Sequence, residues 1–470
     1  MTLVLGLTII AGFYMAWNIG ANDVSNAIGT SVGSKALTLK KAVILAGILE
    51  FCGAFFLGSN VSQTIQSGIV KPEIFQAEPM LYVYGMLAAL IATGLWLHLA
   101  SYLRLPVSTT HAIVGAIAGF GLVFGGLQGV YWTEIAAIIA GWVVSPIMSG
   151  IIAYCIFLIL QKKIFYAIDP LKATKRTIPF FVFFSAALFT LLAIYKGLAN
   201  LSLNIPFSTA LLLAAAIGLA GFFIARYLIG KILILPAHKP YELCHPGQLL
   251  SLEKCAKHLE RVSLYSTGPL VKKAEGLLSQ VQELITSLNK EREYKQDRSI
   301  YFRIEKSFAY LQIISACLIA FAHGANDVAN AIGPVAAILQ TLRTKSIQTL
   351  TPIPTIVLFL GGIGIVIGLA TWGWRVVETI GKKITELTPT RGFSAEFGAG
   401  ITILLASKLG LPVSTTHALV GAVLGVGLAR GFSSLNVKTL KDIFLSWIIT
   451  IPACAFISVV FFYLFKTIFY

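Results

Sequence analysis

The decapeptide GANDVSNAIG at residues 20–29 returns as GANDVANAIG at residues 324–333, and the octapeptide LPVSTTHA at residues 105–112 returns unchanged at residues 411–418. The two copies of the first motif are 304 residues apart and those of the second are 306 apart. Two motifs that recur in the same order at nearly the same spacing indicate that one half of the chain is a duplicate of the other.

The sequence around these motifs is strongly apolar. Of the 470 residues, 57% are hydrophobic and only 12% are charged, and the mean hydropathy is +0.82. Because soluble domains carry about 25% charged residues, this composition excludes a soluble enzyme, a disordered scaffold and a secreted disulfide module. The six cysteines form no CxxC pair, so neither a zinc site nor a disulfide framework is indicated.

The formal net charge of +16 would suggest a nucleic-acid partner in a soluble protein. In a membrane protein, lysine and arginine instead collect in cytoplasmic loops. We therefore expect the lipid bilayer, and no nucleic acid, as the surroundings of this chain. Basic residues at 35–41 and 162–176 place both termini outside and the hydrophilic stretch 228–306 in the cytoplasm, if the segments 106–126 and 412–430 both count as crossings.

Ten apolar stretches are long enough to cross a bilayer as helices, which takes about 20 residues. Two further segments, 106–126 and 412–430, are apolar but rich in Gly, Ser and Thr, and each begins with a proline. Each is either a broken span or a re-entrant pair. The predicted fold is all-α, a polytopic membrane protein with about twelve transmembrane helices. The ten stretches lie near 2–19, 42–59, 81–100, 133–160, 178–195, 207–227, 307–322, 353–371, 393–407 and 442–468.

This count divides the chain into a first membrane repeat at 1–160, linking transmembrane helices at 161–227, a cytoplasmic hydrophilic loop at 228–306 and a second membrane repeat at 307–470. The motif copies are then seven crossings apart, and because seven is odd the halves are inverted. Inverted repeats with broken helices that meet at the midplane are a recurring plan of secondary transporters. Within the loop, apolar residues at 277–288 recur at helical spacing and predict an amphipathic helix, in either a solvated connector or a regulatory element.

The first motif places a carboxylate, Asp23 or Asp327, at the end of an apolar span, where an ionised group is costly and usually functional. Asn and Asp beside Gly favour a local break in the helix, and such a break would offer oxygen ligands to sodium. The alternative is that these residues only cap a helix. The amides predicted to share one face with each carboxylate are Asn22, Asn26, Asn326 and Asn330.

The second motif is typical of a helix start, with Pro in the first turn and Ser as its cap. Unpaired N–H groups and a partial positive charge at a helix N-terminus suit a tetrahedral oxyanion. Simple capping by the two serines is the alternative. His111 and His417 are predicted to pack against a carbonyl, with a proton relay as the alternative. The hydroxyls predicted to bind phosphate are Ser108, Thr109, Thr110, Ser414, Thr415 and Thr416.

Neither motif contains Lys or Arg. A divalent anion between Asp23 and Asp327 would face uncompensated negative charge at low dielectric, and bound cations would remove that penalty. The composition therefore favours cation-coupled anion symport over an anion channel, which would more often use rings of basic residues. Glu50 and Glu396 break the symmetry of the halves. Each is a candidate for an additional cation site or a protonation switch, or else an interfacial or protonated core residue.

The doubled GANDVxNAIG and PVSTTHA motifs strongly resemble those of the PiT family of inorganic phosphate transporters. The resemblance covers 1–160 and 307–470 but not the central loop. It implies twelve spans in an inverted duplication, outward-facing termini and phosphate import coupled to sodium or protons. Carried over by position, the family's functional polar residues fall on the Asn, Asp, Ser and Thr residues named above. Glu50 and Glu396 match carboxylates of the sodium-coupled members.

We therefore predict a multi-pass protein of the inner or plasma membrane that imports inorganic phosphate by symport. Sodium is the preferred coupling cation, bound by Asp23, Asp327, Glu50 and Glu396, and no enzymatic cofactor is expected. For the oligomeric state, the prediction is a homodimer. The alternatives are proton-coupled transport of a metal–phosphate complex or of sulfate, a channel, and, as a different class, an intramembrane Ser/His hydrolase.

Overall fold

The computed structural model describes residues 2–195, 205–233, 246–295, 300–348, 352–374, 376–377, 387–431 and 436–469. Within these ranges the chain forms fifteen α-helices and no β-strand, which confirms the predicted all-α fold. The first eight are α1 (Thr2–Gly33), α2 (Leu39–Leu57), α3 (Ser59–Ser67), α4 (Pro79–Tyr102), α5 (Thr109–Gly125), α6 (Trp132–Leu160), α7 (Pro170–Ile194) and α8 (Phe207–Leu233). The others are α9 (Pro246–Tyr265), α10 (Pro269–Lys295), α11 (Ile300–Thr344), α12 (Thr355–Trp372), α13 (Pro389–Lys408), α14 (Thr415–Arg430) and α15 (Val437–Phe469).

Nine of the described helices are long and apolar enough to cross a bilayer, and the α2–α3 pair, bent by 63°, makes a tenth candidate span. The helices α13 and α14 correspond to the two remaining predicted spans. The helix α14 has only 16 residues, and α13 contains Glu396 and serines whose side chains are buried inside the protein. These two helices are less apolar because they contribute polar groups to the interior.

The predicted helix breaks at the first motif are wrong. The helices α1 and α11 run unbroken through both copies of it. The motif glycine instead allows close helix packing: a Cβ atom at Gly20 would collide with the carbonyl oxygen of Ile365, and one at Gly324 with that of Glu50. The glycines that suggested a break in the sequence are therefore needed for close contact between helix backbones.

Gly20→Ala is expected to destabilise the folded protein by about 1–3 kcal/mol, the usual cost of overpacking a core. The added methyl group would meet the backbone of α12 rather than a flexible side chain. Thermal unfolding of the detergent-solubilised protein measures the effect. Gly276→Ala is the matched control, because its methyl group meets nothing within 4 Å and alanine stabilises a helix by about 0.5–1 kcal/mol over glycine. Equal unfolding midpoints for the two variants would contradict the packing role.

The two helices that carry the first motif, α1 and α11, pack against each other. The helix α1 also packs on α4 and α12, and α11 packs correspondingly on α13 and α2. The helix α5 packs on α15, and α14 packs on α6, so the last helix of each repeat covers a motif helix of the other. Each of these contacts thus has a counterpart in the other repeat, as duplication predicts. The inversion of the halves and the domain boundaries remain predictions.

The hydrophilic stretch contains a hairpin of two helices, α9 and α10, that pack on each other. The predicted amphipathic helix is confirmed, since α10 includes all of residues 277–288. Lys254 of α9 donates a hydrogen bond from Nζ to the Tyr166 hydroxyl at 3.1 Å. This contact joins the hairpin to the segment that follows α6.

Candidate functional site

All of the residues predicted for the site are buried. None is more than 2% exposed, so the surrounding helices shield the whole set from solvent. A buried polar group costs free energy unless it has a partner, and the partners therefore define the site. The set comprises Asn22, Asp23, Asn26, Glu50, Ser108, Thr109, Thr110, Asn326, Asp327, Asn330, Glu396, Ser414, Thr415 and Thr416.

The second motif starts a helix in both copies. Residues 105–108 and 411–414 are not helical, so the prediction of a proline in the first turn is wrong. The serine that ends each segment is the N-cap of the next helix. Ser108 Oγ accepts a hydrogen bond from the backbone N–H of His111 at 3.2 Å, and Ser414 Oγ accepts one from that of His417 at 3.2 Å. The predicted caps are therefore present. A role for the two serines as phosphate ligands stays a prediction.

The amides of the first motif reach the hydroxyls of the other repeat. Asn26 Nδ2 donates to Thr416 Oγ1 at 2.8 Å. Asn330 Nδ2 lies 3.3 Å from Thr109 Oγ1 and 3.4 Å from Thr110 Oγ1. The two motifs that are separated by about eighty residues within each repeat are thus brought together across the repeats.

The two non-helical segments are also linked directly to each other. Thr110 Oγ1 donates to the carbonyl oxygen of Val413 at 3.0 Å, and Thr416 Oγ1 donates to that of Val107 at 3.3 Å. The first turns of α5 and α14 therefore lie side by side. Their hydroxyls, amides and helix N-termini form one continuous group of neutral hydrogen-bonding groups.

Each repeat adds a serine that the sequence analysis missed. Asn22 Nδ2 donates to Ser101 Oγ at 3.0 Å, and the Asn326 amide lies 3.0 Å from Ser407 Oγ. The two serines are 306 residues apart, the same spacing as the second motif. That spacing, together with the matching Leu-Ala pair before each serine, is the signal that would have identified them.

Two carboxylates, Asp23 of α1 and Asp327 of α11, converge on one point. One side-chain atom from each of them and one from His323 lie within 4.8 Å of one another. Thr415 Oγ1 donates to Asp327 Oδ2 at 2.7 Å, and Asn26 Nδ2 donates to Asp23 Oδ1 at 3.3 Å. The carboxylate pair is therefore continuous with the amide and hydroxyl group.

His323 lies between two carboxylates and was also missed in the sequence. Its Nδ1 is 3.2 Å from Glu50 Oε1 and its Nε2 is 3.0 Å from Asp327 Oδ2. The corresponding residue of the first repeat is Ile19, which stands directly before the repeated decapeptide just as His323 does. A histidine directly before one of the two decapeptides, and not before the other, was the available signal. The structure thus brings Glu50 to the central carboxylates through the imidazole.

Glu396 lies in a separate shell of neutral donors from α1 and α11. Its Oε1 accepts hydrogen bonds from Thr30 Oγ1 at 2.6 Å, Ser31 Oγ at 2.5 Å and Gln312 Nε2 at 3.0 Å. Its Oε2 accepts one from Ser315 Oγ at 2.6 Å. None of these four partners was predicted from the sequence, because Ser, Thr and Gln within apolar helices form no recognisable motif.

The Glu396 shell is distinct from the central carboxylates. Thr30 follows Asp23 by seven residues on the unbroken α1, a rise of about 10 Å along the helix axis. A carboxylate and hydroxyl oxygens are hard ligands of the type that alkali cations bind. The structure therefore divides the predicted cation residues into two places, one at Asp23 and Asp327 and one at Glu396.

The two histidines of the second motif pack against tryptophans. His111 Nδ1 lies 3.4 Å from the carbonyl oxygen of Trp447, and His417 Nδ1 lies 3.1 Å from that of Trp142. The His417 ring stacks on the Trp447 ring at 3.6 Å between centroids. These contacts agree with the packing interpretation of both histidines.

The sequence matches a known protein family over nearly its whole length. The model of the phosphate transporter family matches residues 19–458, a range that contains both copies of both motifs and every predicted site residue. The chain belongs to this family. It is thus an integral, multi-pass phosphate transporter, and because the family is one of transporters and not of enzymes, the hydrolase alternative is wrong.

Two relatives extend the likeness over the whole chain. Inorganic phosphate transporter 2-1, chloroplastic, of Arabidopsis thaliana is 43% identical over 98% of this chain and 72% of its own length. A solved structure described as the sodium-dependent phosphate transporter is 38% identical and has a TM-score of 0.81, with 100% of both chains covered. The predicted resemblance to inorganic phosphate transporters is confirmed.

Proposed function

We propose that this transporter is a secondary active symporter that imports inorganic phosphate together with sodium. The observation that carries the proposal is the convergence of Asp23 and Asp327 at a buried point, in a molecule whose described residues include no buried lysine or arginine. The likeness to a solved transporter that is described as sodium-dependent supports the same coupling cation.

The charges make a co-bound cation necessary. Two unit charges 4 Å apart repel by about 4 kcal/mol at an effective dielectric constant of 20, and phosphate would bring up to two negative charges beside Asp23 and Asp327. A single imidazole, that of His323, is the one basic side chain in contact with Asp327 among the described residues. Sodium ions bound to the carboxylates would cancel this repulsion.

The phosphate site is proposed to lie between the first turns of α5 and α14. Donors from both repeats, Asn26 and Asn330 among them, already face the threonine hydroxyls there. When phosphate enters, these groups exchange bonds to each other for bonds to the anion. Hydrogen bonds to a charged group are stronger, at about 1.5–3 kcal/mol each against about 0.5–1.5 kcal/mol for neutral ones. The remaining proposed ligands are Asn22, Asn326, Ser108, Ser414, Thr109, Thr110, Thr415 and Thr416.

Sodium is proposed to bind at Asp23 and Asp327 beside the anion, with Glu50 nearby, and at Glu396 in its shell of hydroxyls. Alternating access would come from movement of the two repeats around the site. We further propose a cell membrane, inner or plasma, as the location. The homodimer stays a prediction.

Uptake by purified protein in liposomes tests the proposal. An inward sodium gradient at equal pH should drive accumulation of labelled phosphate above the external concentration, and replacement of sodium by potassium should abolish it. Accumulation against a gradient excludes a channel, and competition by sulfate tests the anion. Equal uptake driven by a proton gradient without sodium would overturn the coupling.

Thr416→Val is expected to raise the KM for phosphate by about tenfold, since loss of one hydrogen bond costs about 1.5 kcal/mol. Thr416 Oγ1 accepts the short bond from Asn26. Initial rates of uptake at saturating sodium measure the change. Thr402→Val removes a hydroxyl that bonds only within α13, to the Gly398 carbonyl at 2.9 Å, and should leave the KM unchanged. The same shift in both variants would exclude a ligand role for Thr416.

A further inference from the structure

We propose that Asp23, His323 and Asp327 form a binding site for a divalent transition-metal ion such as Zn²⁺, and that the bound metal competes with sodium for the two carboxylates. The metal site rests on the geometry of these three residues. The competition rests in addition on the proposed sodium symport.

The ligand atoms are already close together. One atom from each of the three residues lies within 4.8 Å of the others, and His323 Nε2 is 3.0 Å from Asp327 Oδ2. Bonds of about 2.0–2.2 Å to zinc would hold such atoms roughly 3–4 Å apart. A small closure by Asp23 is enough to complete three ligands around one ion.

Unsatisfied polar atoms at the same place are a second, independent observation. Asp23 Oδ2, both ring nitrogens of His323 and both carboxylate oxygens of Glu50 are buried without an aligned hydrogen bond. The contacts of His323 with Glu50 and Asp327 are short but not directed as hydrogen bonds. Buried polar atoms in native structures are nearly all paired, so this group of polar atoms without an aligned hydrogen bond indicates a missing ligand.

The imidazole decides the class of ion. Sodium, calcium and magnesium prefer oxygen ligands, whereas an imidazole with carboxylates suits zinc, iron, manganese and similar metals. Glu50 lies on Nδ1 of the same ring, 3.2 Å away, which is the arrangement of carboxylate, histidine and metal that orients a ligating nitrogen. The first repeat has Ile19 at the position of His323, so duplication of the motifs does not explain this ring.

Competition follows from the shared carboxylates. Asp23 and Asp327 are the central residues proposed to bind sodium, and a divalent ion held by both of them would occupy the same space. The three-ligand set also leaves an open metal position, next to the amides and hydroxyls of the phosphate site. While the metal is bound, sodium would therefore be unable to bind Asp23 and Asp327.

Binding of Co²⁺ to the full-length protein, purified without a histidine tag, tests the site directly. Visible absorbance of the bound ion reports its ligands and requires no transport. The wild type should bind one Co²⁺ per chain, and Zn²⁺ should displace it. His323→Ile, which installs the residue of the first repeat, should weaken binding by more than about 100-fold, and Glu50→Gln by about 10–100-fold. Equal Co²⁺ affinity of wild type and His323→Ile would overturn the site.

The matched control is His98→Leu, which removes a histidine outside the site and installs the residue found 306 positions later, Leu404. Its Co²⁺ affinity should equal that of the wild type. Gel filtration and thermal unfolding establish that each variant is folded, and the graded loss in Glu50→Gln keeps the test decisive if His323→Ile is unstable. An equal loss in His98→Leu would overturn the assignment.

Transport assays separate this inference from the proposed function. Zn²⁺ should inhibit sodium-driven phosphate uptake, and higher sodium should relieve the inhibition. Specific Co²⁺ binding without inhibition of uptake would overturn the competition and support the site. Specific Co²⁺ binding in a protein whose uptake ignores sodium would overturn sodium coupling and still support the metal site.

Discussion

Asp327→Asn is expected to lower sodium-driven phosphate uptake by at least about 100-fold, because loss of one partner of a buried charged pair costs about 3–5 kcal/mol. Asp327 accepts a hydrogen bond from Thr415 at 2.7 Å and touches His323. An amide has the same shape but cannot bind sodium as a charged ligand. Asp23→Asn should have an effect of similar size. Initial rates of uptake in proteoliposomes under a sodium gradient measure both.

The matched control for both variants is Asp442→Asn. Asp442 lies in α15 and is exposed, so the same chemical change should leave uptake unaltered. All three variants should insert into the membrane and elute as single species in gel filtration. Full uptake by either Asp23→Asn or Asp327→Asn would remove the proposed cation site.

Glu396→Gln is expected to raise the half-saturating sodium concentration by about 10–100-fold, because hydrogen bonds to a charged acceptor are worth about 1.5–3 kcal/mol each. Four neutral donors face this carboxylate, and the amide nitrogen would point toward hydroxyls instead of a cation. Sodium titrations of the uptake rate measure the shift. High sodium should restore uptake, in contrast to the loss expected for Asp327→Asn.

Glu305→Gln provides the comparison for a buried glutamate without a cation role. Glu305 of α11 accepts bonds from the Thr390 N–H at 2.9 Å and the Thr390 hydroxyl at 2.8 Å, and so caps the first turn of α13. We expect this variant to lose stability but to keep the sodium dependence of the wild type. An unchanged sodium dependence in Glu396→Gln would show that its shell is only structural.

The helix starts at the second motif could be predicted because capping is a local property. A serine before a helical apolar run specifies an N-terminus within a few residues, and both caps are present at Ser108 and Ser414. The membrane fold could be predicted for the same reason, because the length and apolarity of a span are properties of a continuous stretch of sequence.

The failed prediction at the first motif has the opposite cause. Asn and Asp beside Gly favour a break when their polar side chains compete with the helix backbone for hydrogen bonds. In the folded protein the Asn22 amide bonds to Ser101, and Gly20 packs on the backbone of α12. Tertiary contacts satisfy these residues inside a continuous helix, and neither partner is close in sequence.

By itself, the sequence determined that the protein is a duplicated, all-helical membrane protein, which polar residues enter the membrane and where two helices start, because hydrophobic length, repetition and capping are local properties. Only the tertiary structure decided which of these residues meet. Asn26 reaches Thr416 across 390 positions, and Glu396 reaches Thr30 across 366. The physical reason is that interdigitation of the two repeats, not local chain pattern, selects these pairs, and it also brings His323 between Glu50 and Asp327.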